Sequence, residues 1–150
     1  MSPRRRGQHD PSYKQFFSYP EMVRDLLLGF VPLAWVASLD FATLERVNQT
    51  YISDDLRERA DDVVWRVRFR GEWLYVYLLL EFQSTIDRFM AVRLLTYVGL
   101  LYQDLIKSGQ IPRRGLLPPV MPIVLYNGER TWKAATALSD LLPELPADLQ

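Results

Sequence analysis

The 150-residue chain has no cysteine and only one histidine, His9. Without cysteine there are no disulfides, no thiolate metal sites and no cysteine nucleophile, which suits a reducing cytoplasm. A single histidine excludes a multi-histidine zinc centre. Neither sign of charge is in excess, since 18 Lys and Arg balance 18 Asp and Glu. Overall charge therefore gives no signal for nucleic acid. The apolar runs are too short to cross a bilayer. No segment has the ordered basic start, apolar stretch and cleavage site of a signal peptide. A cytoplasmic protein with no membrane partner is the expectation.

What the chain does have is apolar bulk, 49% of its residues with 13% aromatics, enough to bury the core of one domain. Residues 1–11 read as a polar, disordered arm, 12–132 as the folded domain, and 133–150 as the start of a C-terminal extension. Pro20 and Glu21 mark a helix start, with Met22, Val23, Leu26, Leu27 and Phe30 at helical spacing and Gly29 or Pro32 as the stop. Phe41 to Asp55 is a weak strand candidate. Ser84-Thr85-Ile86-Asp87 has capping-box spacing. The helix after it buries Ala91, Leu94, Leu95, Val98, Leu101, Tyr102 and Leu105, and Gly109 stands at its C-terminal cap. Val120 to Tyr126 reads as a strand, with Pro122 tolerable near its start or at an edge, and Asn127-Gly128 as a turn. A strand, a helix and a returning strand imply a parallel crossover. The expected class is a small mixed α/β sheet flanked by helices.

The most informative stretch is a hairpin running from Asp62 to Gln83. Val63, Trp65, Val67 and Phe69 alternate on one strand, and Leu74, Val76, Leu78, Leu80 and Phe82 answer on the next. Gly71-Glu72 is a pair that favours a two-residue type II′ turn. That turn sets Arg70 opposite Trp73 and, counting outward, Asp62 opposite Glu81. An even loop puts Asp62, Glu81 and Gln83 on one face, whereas an odd loop brings Asp61 round instead. The hydrophobic alternation favours Asp62. Arg57, Arg59, Arg66, Arg68 and Arg70 flank the hairpin. They read equally as a solvated face or as a basic surface.

A carboxylate beside Leu78-Leu79-Leu80 is costly unless it is paired, protonated or bound to metal. Two of them, Asp62 and Glu81, invite a divalent cation held through oxygen, Mg²⁺ first, with Mn²⁺ or Ca²⁺ as substitutes. Such a cation acidifies water and offsets charge on a phosphate. Gln83, two residues along the strand, can position water but is too weak a base to deprotonate it. Acid, strand, E-x-(basic or amide), helix is the layout of the PD-(D/E)xK phosphodiesterases. By itself D…E-x-Q is a weak motif. The competing reading has the aspartate ending a loop while Glu81 and Gln83 satisfy backbone groups beside the next helix. Trp65, Trp73 and Tyr75 read either as base-stacking groups or as core.

Longer motifs add to this. They are His9-Asp10-x-x-Tyr13-Lys14-x-x-Phe17-Ser18-x-Pro20-Glu21, Asp25-Leu26-Leu27-x-Gly29-Phe30, Arg59-x-x-Asp62-Val63-Val64-Trp65-Arg66-Val67, Leu80-Glu81-Phe82-Gln83-Ser84, Arg93-Leu94-x-x-Tyr97 and Pro122-Ile123-Val124-Leu125-Tyr126-Asn127-Gly128. Together they resemble the Rpn (recombination-promoting nuclease, YhgA-like transposase) family from residue 9 to about 132. The resemblance implies a PD-(D/E)xK, restriction-endonuclease-like core and a divalent-metal-dependent DNA endonuclease linked to recombination. It assigns Asp62 and Glu81 to the metal and Gln83 to the third active-site position. Lys14 falls in the N-terminal motif, and Arg93 and Tyr97, four apart on a helix, become candidates for DNA contact. Arg93 reads equally as a structural partner of Glu81 or Asp87. His9 and Asp10 read as capping and local hydrogen-bonding groups. The alternative function is a catalytically weak DNA-binding or regulatory module that keeps the fold, and a homo-oligomer is compatible with either.

Overall fold

A computed structural model describes residues 15–47, 62–81, 87–111, 115–126 and 137–144. Helix α1 (Pro20–Phe30) starts where proline's fixed φ costs nothing, with Glu21 in its first turn, and buries Val23, Leu26 and Leu27. It stops at extended Val31, just before Pro32. A 3₁₀ turn (Ala34–Ser38) leads into β1 (Asp40–Arg46). The expected strand from Phe41 to Asp55 is thus shorter at its far end, and residues 48–61 lie outside the described residues. Strands β2 (Val63–Phe69) and β3 (Glu72–Glu81) form the hairpin. Helix α2 (Met90–Lys107) follows, then β4 (Val120–Tyr126) and a last 3₁₀ turn (Leu138–Leu141).

The four strands lie in the order β1-β2-β3-β4. The first two pairings are antiparallel and β3–β4 is parallel, as the intervening helix requires. β3 therefore has neighbours on both sides and is covered on both faces. On one face Val63, Trp65, Val67, Leu74, Val76 and Leu78 meet Val23, Leu26 and Leu27 of α1. On the other, Val64, Tyr75, Tyr77 and Leu79 meet Met90, Tyr97, Leu101 and Leu105 of α2. Pro122 sits on β4, at the edge of the four strands, where a missing donor is tolerated.

Leu95, expected in the buried stripe of α2, is exposed, and Tyr97 is buried instead, because the helix turns its Met90, Ala91, Tyr97, Leu101 and Leu105 side to the sheet. Two further local expectations need correction. The hairpin pairs Phe69 with Glu72, so the turn is Arg70-Gly71 and not Gly71-Glu72. Both turn residues have positive φ, 52° and 81°, the mark of a type I′ turn. The register is consequently two residues away from the expected one, and its continuation sets Asp62 beside Leu79. The loop still has two residues, so face parity is preserved. The second correction concerns the start of α2. Its cap position is Phe89, with no side-chain cap, while Asp87 Oδ1 accepts the Phe89 N–H at 2.9 Å. This local Asx contact turns the chain before the helix begins. Ser84, Thr85 and Ile86, like the Asn127-Gly128 turn, lie outside the described residues. At the other end, Gly109 (φ 70°) closes α2, and the Gln110 N–H reaches back to the Leu105 carbonyl at 2.9 Å.

Candidate functional site

Asp62 immediately precedes β2 and is only 9% exposed. Alternation puts it on the Val64 face of the hairpin, the face covered by α2. There the Tyr77 hydroxyl donates to Asp62 Oδ2 at 2.6 Å. That length belongs to a charge-assisted O–H···O⁻ bond. A phenol is a neutral donor, so this bond orients the carboxylate and brings no opposing charge of its own. Behind it the Tyr77 ring stacks on Tyr97 of α2, 6.1 Å between centroids and 9° between planes. The aspartate is thus held by a rigid aromatic pair that ties the hairpin to the helix.

Glu81 is the last residue of β3 and pairs with Tyr126 of β4. In the strand's alternation its position belongs to the same face as Tyr77 and Leu79. With Asp62 beside Leu79, the Glu81 position is its diagonal neighbour, about 7–8 Å away in a typical ladder. The Glu81 side chain, Gln83 and Lys14 lie outside the described residues, as do His9, Asp10 and Asp61. Among the described residues no group of three or more Asp, Glu, His or Cys gathers into a metal cluster. The donors named from sequence, Asp62, Glu81 and the Gln83 amide, offer oxygen only, the chemistry that suits Mg²⁺ or Ca²⁺.

Arg93, on the first turns of α2, pairs with Asp87 at 3.2 Å. Tyr97 is buried against Tyr77. Its ring supports the site from behind. Trp65 and Tyr75 are each 2% exposed, and the Trp65 indole N–H donates to the Phe17 carbonyl at 3.0 Å, so both are core and not base-stacking surfaces. Trp73 is half-buried at the hairpin tip, with the Arg66 and Arg68 guanidiniums over its ring at 4.2 and 4.1 Å. Sequence reasoning missed Tyr77, although strand parity alone puts it on the Asp62 face. Among the described residues no helix is long and apolar enough to cross a membrane.

A family model described as "Putative transposase, YhgA-like" matches residues 7–149. Over 120 residues the chain is 34% identical to recombination-promoting nuclease RpnA of Escherichia coli K12, covering 80% of this chain and 40% of that protein. It is 30% identical over 123 residues to recombination-promoting nuclease RpnD of Escherichia coli O157:H7, covering 82% and 46%. It is also 31% identical over 121 residues to the inactive recombination-promoting nuclease-like protein RpnE of Escherichia coli K12, covering 81% and 39%. The chain thus spans less than half the length of these relatives. No solved structure matches it.

Proposed function

The chain belongs to the family described as "Putative transposase, YhgA-like", and on that premise we propose that it is a divalent-metal-dependent DNA endonuclease of the recombination-promoting type. The observation that carries this reading is Asp62, a nearly buried carboxylate fixed by the Tyr77 hydroxyl on the face where β3 ends at Glu81. A carboxylate fixed in one orientation at the end of the hairpin is a preorganised oxygen donor, the kind of ligand a hard divalent cation takes.

Asp62 and Glu81 would hold the ion, Mg²⁺ or another hard divalent cation, with all-oxygen donors. Such an ion, when bound, supplies a Lewis acid at the phosphodiester. Tyr77 keeps the Asp62 carboxylate in one orientation, so little reorganisation remains when substrate arrives. Gln83 orients the attacking water by hydrogen bonding and takes no proton. Lys14 and Arg93 are the cationic candidates for the scissile phosphate, Arg93 once it exchanges Asp87 for phosphate. Tyr97 acts through Tyr77.

A supercoiled plasmid incubated with and without Mg²⁺ tests the reading. Nicking that needs the cation supports it, and its absence at every cation tried counts against it. A second reading, a catalytically weak DNA-binding module with the same fold, is favoured by the likeness to inactive RpnE. It predicts DNA binding without nicking.

A further inference from the structure

At the turn end of the hairpin three arginines and a tryptophan gather away from Asp62. Arg66 is already committed. It pairs with Glu45, and the Tyr75 and Glu45 partners together outweigh the lowering effect of burial and raise its pKa. Arg68 and Arg70 differ, because neither has a carboxylate partner among the described residues. Arg68 donates to the Gly71 carbonyl at 2.8 Å and lies over Trp73, which holds its guanidinium in place without neutralising it. Arg70 lies over Phe69 and occupies the first position of the type I′ turn at φ 52°. Asn, Asp or Gly suits that position, and an arginine there is strained. Folding gives no reason for this choice. Beside these groups lies an open cavity of about 460 Å³ lined by Arg68, Glu72, Trp73, Gln110, Leu116 and Pro118.

We propose that this tip is a second DNA-contacting site, in which Arg68 and Arg70 grip backbone phosphates at a distance from the Asp62 carboxylate. The proposal rests on reading the chain as a DNA-acting protein, and not on the chemistry at Asp62. Arg68 lies six steps along the strand from Asp62, about 20 Å at roughly 3.3 Å per residue. A strand with one phosphate per about 3.4 Å must therefore extend some six nucleotides from the acid end to reach the tip. The tip then acts as a measure of substrate length. Trp73, with guanidiniums over its ring, serves as their platform and not as a base-stacking surface.

The test is binding of a fluorescein-labelled duplex of about two helical turns, read by anisotropy in EDTA, where cleavage is silent. A failure of tip contact and a failure of nuclease activity thus register separately. Two lost phosphate contacts should lower the slope of log affinity against log salt by about 1.8 for Arg68→Gln with Arg70→Gln. The wild-type advantage should then shrink about twelvefold between about 50 and 200 mM salt. A control pair, Arg24→Gln with Lys107→Gln, should leave the slope unchanged. Arg70→Asn, which suits the turn, should raise the melting temperature while weakening binding. An unchanged slope in the tip variant overturns the proposal. So does an equal loss in the control pair, absence of binding by the wild type, or full affinity in Arg70→Asn.

Discussion

Tyr77 is the side chain on which the site's geometry depends most visibly. Its hydroxyl is bonded to a carboxylate that has little water to turn to. Tyr77→Phe keeps the ring stacked on Tyr97 and deletes only that donor. A hydrogen bond to a charged group contributes about 1.5–3 kcal/mol, so urea unfolding should show a loss of that order. Metal-dependent cleavage should fall with it, since the carboxylate is no longer fixed. A variant as stable and as active as the wild type would show that Asp62 is held by other means. Asp62 itself was legible from the sequence, because placing it needs only an even loop. Tyr77 was legible in principle by the same parity. What sequence could not supply was the rotamer that brings its hydroxyl to Asp62.

The elements show where a period-two pattern loses information. A shift of two residues leaves every side chain of a strand on its own face, so the alternation of Val63, Trp65 and Val67 fits two registers equally well. Turn chemistry must choose between them, and glycine at Gly71 suited a type II′ turn better than arginine at Arg70 suits type I′. The unfavourable residue is the one the fold uses. By contrast, both helices were legible, because Pro20 and Gly109 are sharp boundaries. Gly109→Ala puts a Cβ on a residue at φ 70° where nothing nearby blocks it. The cost is then backbone strain alone, about 1 kcal/mol, readable as a small drop in melting temperature. Tyr102 makes a further test of how α2 joins the strand layer. Its hydroxyl donates to the Pro118 carbonyl at 2.7 Å, just before β4, and burial pushes its pKa up. A raised folded-state value means the group's stabilisation is intact below its ordinary value of about 10 and is lost as pH rises through the folded value. Urea midpoints should therefore decline above about pH 10, and Tyr102→Phe should flatten part of that decline. An identical slope in the variant would remove Tyr102 from the explanation.

In the whole molecule, β3 organises everything that bears on function. It is apolar on both faces, pairs on both sides, and carries Tyr77 and Glu81 on the face of Asp62. The mixed sheet and its element order, which agree with a PD-(D/E)xK-like core, followed from that double-sided apolar run and the helix after it. The site itself is best tested without turnover, by calorimetric titration of Mn²⁺ into the wild type, Asp62→Asn and Glu81→Gln at equal protein concentration. Each variant removes one ligand charge from the same pair and should keep the wild-type fold. Binding to the wild type at one site, lost or weakened at least tenfold in both variants, is the predicted result. Unchanged affinity in either variant, or no binding to the wild type, would contradict a cation shared between Asp62 and Glu81.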